Sequence, residues 1–278
     1  MKRIFAAILP LFASLYCFAA TQVPDICLIR KDSVQDTLLM FVFPLEDYFE
    51  QTGSREMGGF QSCESPACTR GYQAVWQVER DSFFLYNLQG CNAFMSWCDE
   101  SSLPSLHEMF GSDCVNNRVF ARWTTGNYRA FEGQAVPYLN RQIFTSERLI
   151  RIKNGKVRKI KHYLNVKPRR KSFAVEQNTP NFLLMHIRDE LNWKALPKRE
   201  PKQWIADLQF TILKNGKTTV KVRTTGSKSF VTALETELNR VMKKIRWFQY
   251  RQLGKNIVVS FRISAEFDSE KQTVDLMK

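Results

Sequence analysis

Six cysteines, three histidines and one dense run of cations are the side chains of this sequence with the reach to do chemistry. Cys27, Cys63, Cys68, Cys91, Cys98 and Cys114 all fall in the first half of the chain, and a seventh, Cys17, lies in an apolar leader. An even set of six in an oxidising compartment pairs into as many as three disulfides, and spacing alone does not choose the connectivity. Zinc would need closely and regularly spaced ligands. No C-x-x-C pair occurs, the 63–68 and 91–98 spacings are loose, and His107 is the only histidine nearby. His107-Glu108 beside a free thiolate would make a nucleophilic site, and disulfide pairing removes the thiolate. His162 reads as a surface residue of a basic hairpin, and His186 as a structural residue of an amphipathic stretch. Glu46, Asp47 and Glu50 could supply the paired carboxylates of glycoside cleavage, although a solvated turn is the simpler reading. Trp76, Trp97 and Trp123 could line a sugar, but strand aromatics ordinarily fill a core. The sequence contains no G-x-S-x-G, no phosphate loop, no G-x-G-x-x-G and no H-E-x-x-H. These residues point away from catalysis, and they imply no cofactor.

The cations are the stronger signal. The formal charge is +14, and eleven Lys or Arg with no acid stand between Arg148 and Lys171. Arg151, Lys153, Lys156, Arg158, Lys159, Lys161, Arg169, Arg170 and Lys171 form a candidate anionic-surface patch, suited to anionic lipid or lipopolysaccharide. The plain alternative is a solvated hairpin face running into a charged linker.

Compartment follows from the first residues. Lys2 and Arg3 precede an apolar run from Ile4 to Ala20 that ends on small residues, the layout of a signal peptide cleaved after Ala19 or Ala20. The expectation is a periplasmic or secreted envelope protein with no nucleic-acid partner. The alternative is an uncleaved inner-membrane anchor, since the run sits at the lower limit for spanning.

The elements that must hold these residues fall into two groups, giving an α+β fold. Residues 21–167 read as a cysteine-containing, mostly β domain. A buried strand is expected at Leu38–Phe43, hairpin strands at 71–78 and 82–88, and a loop-like stretch at 89–118. The clearest hairpin joins 148–153 to 156–163 through Asn154-Gly155, which supplies the positive φ angles of a two-residue turn. A basic, Pro-containing linker occupies 168–180, and a polar tail 268–278. Between them, 181–267 forms a β-β-α-β unit. Ala206, Leu208, Phe210 and Ile212 alternate with polar residues, Asn215-Gly216 turns the chain, and Val220 and Val222 continue inward. Phe230, Leu234, Leu238, Val241, Met242 and Ile245 then recur at helical spacing behind a Ser227 or Ser229 cap. The last strand, Ile257 to Phe267, alternates cleanly.

This unit resembles the C-terminal domain of TonB-type energy transducers. The resemblance is carried by Leu208-Gln-Phe-Thr-Ile-Leu-Lys-Asn-Gly-Lys217, Val220-Lys-Val222, Arg246-Trp247, Gly254-Lys255 and the strand Val258 to Phe267, about a third of the chain. It implies a module that adds an extended segment of an outer-membrane receptor, or another envelope protein, to a sheet edge. Ile257, Val258, Val259, Ser260, Phe261, Arg262 and Ile263 are the candidate edge. The sequence departs from that family in lacking a long Pro-rich spacer, so the resemblance implies a non-catalytic binding domain first and an energy transducer second. The first domain is similar, through Arg70-Gly-Tyr-Gln-Ala-Val-Trp-Gln-Val78 and Val119-Phe-Ala-Arg-Trp-Thr-Thr-Gly126, to a β-rich bacterial family without an assigned activity. A glycan-binding or enzymatic first domain is the remaining alternative.

Overall fold

The computed structural model of the chain describes residues 22–277 apart from 32–33, 56–59, 61–64, 97, 99–102, 169 and 199–201. The leader therefore lies outside the described residues. The protein is mostly β with few helices, and among the described residues no helix is long and apolar enough to cross a membrane.

The first sheet is built from β1 (Asp25–Lys31), β2 (Val34–Met40), β3 (Tyr72–Glu79), β4 (Ser82–Gly90), β5 (Cys114–Val115), β6 (Arg118–Phe120), β7 (Gly126–Ala135), β8 (Phe144–Lys153) and β9 (Lys156–Leu164). Its order is β3-β1-β2-β7-β8-β9-β4-β6-β5, with β3 also paired to β4. That extra pairing curls seven strands into a ring, which removes much of the sheet's edge. Its weakest join is β4 against β9, which meet only at Ser82 and Lys156. Trp76 and Phe83 stack inside at 4.9 Å, with Tyr72, Leu38, Met40, Leu85 and Ile150 buried around them.

Two elements of this half differ from the sequence reading. The strand expected at 38–43 ends at Met40, and the acidic turn beyond it is a helix, α1 (Pro44–Thr52). Proline at its start fits the first turn, Glu46 and Asp47 complement the N-terminal dipole, and Gly53 at φ 67° closes it in the left-handed conformation. The stretch 89–118 is also more regular than a loop, holding α2 (Leu106–Phe110) with a Ser105–Glu108 capping box, together with β5.

Beyond the short β10 (Val166–Lys167), the helix α3 (Thr179–Glu190) leads into β11 (Gln203–Ile212), β12 (Thr218–Thr224) and α4 (Lys228–Met242). Then come β13 (Gln249–Gln252), β14 (Lys255–Asn256), β15 (Val259–Asp268) and β16 (Thr273–Leu276). The second sheet runs β12-β11-β15-β16, all antiparallel. Its alternating apolar residues share one core with the α4 stripe Phe230, Leu234, Leu238, Val241 and Met242. Ser227 is the cap, accepting the Phe230 N–H at 3.3 Å. The Asn215-Gly216 turn is fixed by the Asn215 carboxamide oxygen accepting from Lys217 N at 3.0 Å and by Gly216 at φ 77°. The presumed tail at 268–278 is corrected: it contains β16, with Val274 buried.

Candidate functional site

Strand addition requires an edge with unpaired N–H and C=O groups. The strand β15 lies between β11 and β16, and β16 pairs with its last four residues, Ala265–Asp268. Ile257 and Val258 precede it, while Val259, Ser260, Phe261, Arg262 and Ile263 are all paired to β11. On the outer side, Ser260 exchanges two bonds with Asn140 of the first sheet's β7–β8 loop. Asn140 N donates to Ser260 O at 2.7 Å, and Ser260 N donates to the Asn140 side-chain oxygen at 2.9 Å. Met277 N donates to Ser264 O at 3.1 Å. Within the candidate edge, a loop far away in sequence covers Ser260, while the folded-back chain end covers the strand only beyond it, from Ser264 to Asp268.

The opposite edge, β12, is closed by its own helix. Asn239 of α4 accepts from Val220 N and donates to Val220 O, both at 2.9 Å, and Glu235 accepts from Val222 N at 2.8 Å. Two helix side chains therefore satisfy the backbone groups that a partner strand would need.

Among the described residues, β9 of the first sheet has an open edge. It pairs with β8 from Lys156 to Leu164 but meets β4 at one residue. Asn165, just past its end, donates its N–H toward β8 at Thr145 O, 2.9 Å away. Backbone groups alternate sides along a strand, so those of Lys159, Lys161 and Tyr163 face β8, and those of Ile160 and His162 face away. Arg158, Lys159, Lys161 and His162 are exposed, as are Ile160 at 37% and Leu164 at 63%. Arg151 lies opposite Lys159, so Arg151, Lys153, Lys159 and Lys161 share the outer face of the hairpin.

Among the described residues none of Arg151, Lys153, Arg158, Lys159 and Lys161 has a salt bridge. Lys156 is tied to Asp81 at 3.3 Å. Arg170 and Lys171 are exposed on the connection beyond β10, off the hairpin, and Arg169 lies outside the described residues. Sequence reading found the cations but not the acid beside them. Glu147 of β8, fully buried, accepts from Arg129 at 2.5 and 2.8 Å and from Leu253 N at 2.6 Å. That carboxylate fastens the basic hairpin to the turn between β13 and β14.

The cysteines behave differently from three disulfides. Cys68 and Cys91 are bonded, and Cys98 is disulfide-bonded too, while Cys63 lies outside the described residues. Cys27 and Cys114 are free, which corrects their assignment as paired. Cys27 points into the barrel, where loss of solvation pushes its thiol up to about 12, and such a thiol is not a nucleophile.

The weighed catalytic groups have structural duties. Glu108 accepts from Ser105 N at 2.7 Å in the cap of α2. His107 lines an open cleft with Tyr86, Asn87 and Asn116 and has no cysteine beside it there. His186 stacks on Phe182. Glu46 accepts from Tyr72 Oη at 2.5 Å and pairs with Arg55. Asp47 titrates above the ordinary carboxylate range, chiefly through desolvation and then through Glu50 and Glu46. Trp123 is packed against Phe110 and Tyr48, and Trp97 lies outside the described residues.

One cluster escaped the sequence reading altogether. Fully buried Asp25 accepts from Arg70 Nη1 and Trp76 Nε1, both at 2.9 Å, and Arg70 lies 3.7 Å from the Phe43 ring centroid. Burial lifts the Asp25 carboxyl above its usual range, against the pull of Arg70. Enclosed inside the barrel, the cluster pins β1 to β3. Among the described residues no three His, Cys, Asp or Glu side chains gather as metal ligands. No family model, curated protein or solved structure matches the chain.

Proposed function

We propose that the chain is a non-catalytic, exported protein of the cell envelope that captures an extended, acidic protein segment by adding it to the edge of β9. One observation carries the reading: beyond its first two residues β9 is hydrogen-bonded on its β8 side only, and among the described residues its Arg158, Lys159 and Lys161 have no salt bridge. Main-chain pairing would supply affinity, and charge would select the partner. The second sheet with α4 packed on it supports the likeness to the C-terminal domain of TonB-type transducers, and with it a binding role. In this reading the recognising edge lies on the first sheet.

Lysines on an edge strand also guard against aggregation, and the two roles agree. A second copy of β9 laid alongside would set Lys and Arg against Lys and Arg, which is unfavourable. An acidic strand meets no such penalty. Ile160 and Leu164 add apolar contact for such a partner.

The test uses a fluorescent eight-residue peptide of alternating Glu and Thr, its Lys-Thr counterpart, and anionic vesicles. The acidic peptide should bind, protect the Ile160 and His162 amides from hydrogen exchange, and weaken as salt rises. His162→Pro removes only an outward N–H, which an edge strand tolerates, and should abolish binding without unfolding the chain. Vesicle binding without amide protection would replace this reading with a lipid surface, and absence of any peptide binding would end it.

A further inference from the structure

A second cleft, unrelated to β9, opens where β12 meets the end of α4. It measures about 460 Å³, and Leu213, Met242 and Ile245 give it an apolar lining. Lys217, Lys243 and Arg246 stand around it, all exposed, and none has a salt bridge among the described residues. Their neighbours behave otherwise: Lys244 is held by Glu190 at 2.5 Å and Arg240 by Glu237 at 2.6 Å.

Capping the helix does not account for the free cations. The carbonyls of Arg240, Val241 and Met242 already accept from Lys243 N, Lys244 N and Ile245 N at 3.1 to 3.3 Å. A further observation points to a ligand. Thr218 lines the cleft, is 7% exposed, and its Oγ1 has no hydrogen-bond partner among the described residues. Buried hydroxyls are rarely left so.

We infer that this cleft binds a small amphiphilic anion, an apolar chain ending in a single carboxylate or phosphate. The chain would lie on half-buried Leu213, over the nearly closed-off Met242 and Ile245. The anionic head would sit between Lys217, Lys243 and Arg246, and Thr218 Oγ1 would donate to it. An apolar pocket with a few convergent polar groups is the ordinary form of such a site, and charge-assisted bonds would orient the head.

Calorimetric titration of the full chain with hexanoate, octanoate and decanoate tests this. Binding should saturate and tighten about fourfold per added methylene, which is ~0.8 kcal/mol. The pair Lys243→Gln and Arg246→Gln should weaken decanoate about tenfold or more, the loss of charge-assisted bonds, with the unfolding transition unchanged. Thr218→Val should weaken it by a smaller factor. Decanol has the chain without the charge and inorganic phosphate the charge without the chain, so both should bind far more weakly. Anionic phospholipid vesicles added in place of decanoate identify the source. Binding lost in the Lys243/Arg246 pair marks a membrane lipid, and binding of decanoate alone marks a free amphiphile. Equal affinity for phosphate and decanoate, insensitivity to the paired substitution, or no saturable binding would overturn the inference. None of these outcomes bears on β9, which lies on the other sheet.

Discussion

Replacing Cys68 and Cys91 together by alanine removes the bond that closes the loop carrying the β3–β4 hairpin. Both sulfurs are almost fully buried, and the two residues are 23 apart in sequence. The chain-entropy relation gives about 3.4 kcal/mol at 25 °C for a loop of that length. In a chain of this size each kcal/mol is worth roughly 2–4 °C, so the melting temperature should fall by about 7–14 °C. Loss of sulfur packing against Met95 and Ala67 adds to this figure. Urea unfolding followed by Trp fluorescence measures the change, and the slope of the transition should steepen because the cross-link no longer restrains the unfolded chain. A loss below about 1 kcal/mol with an unchanged slope would refute the reasoning. It would mean that the β3–β4 register already holds residues 72–90 together in the unfolded ensemble, leaving the disulfide little entropy to remove.

Four further outcomes follow from the interior. Asp25→Ala leaves the Arg70 guanidinium buried without its counter-charge, and should cost about 3–5 kcal/mol in the same unfolding assay. The folded Asp25 carboxyl lies above its unfolded value, so its contribution to stability is complete below the unfolded pKa and is lost as pH rises through the folded one. Asp25→Asn should flatten the stability profile in that window, and an unchanged profile would show that another group sets it. Gly216→Ala puts a methyl 2.7 Å from the Trp247 carbonyl oxygen at φ 77°, and should lose about 1–3 kcal/mol by thermal melting. In the native protein a thiol reagent should modify half-buried Cys114 and leave Cys27 untouched until the barrel opens.

The second sheet was legible because each strand shows its two faces in the sequence. Burial of β11, β12 and β15 alternates residue by residue, and period-two patterning is the direct imprint of a half-buried strand. The hairpin at Asn154-Gly155 was legible for the same reason, through a turn that few other residue pairs allow. Asp25–Lys31 gave no such imprint. Its residues answer to two neighbours, β2 and β3, and to a buried carboxylate that composition marks as a surface residue. The helix Pro44–Thr52 had its start and stop signals in Pro44 and Gly53, yet its acids drew the eye to a turn. Disulfide partners and free thiols depended on which cysteine pointed into the barrel, and spacing does not carry that information.

Which edge is open was beyond the sequence for a sharper reason. An edge is defined by what fails to cover it, and the covering groups come from far along the chain. Asn140 closes the start of β15 from 120 residues away, and Asn239 and Glu235 close β12 from 19 and 13. On a helix these three read only as polar surface or, for Asn140, as loop. Their effect is consistent: Asn140, Asn239, Glu235 and the folded-back chain end occupy backbone groups of the second sheet that a partner strand could otherwise take. The ring of the first sheet protects its strands by closure, and closure is weakest where β9 leaves β4 after one pair. A protein that merely guarded this gap needed no more than a bulge or a proline there. It carries instead a run of cations, anchored from beneath by the Arg129–Glu147 pair and the Leu253 amide. The bulge that exists, between Arg151 and Ile152, sits at the hairpin tip and leaves the stretch from Lys159 to Leu164 straight enough to template a strand.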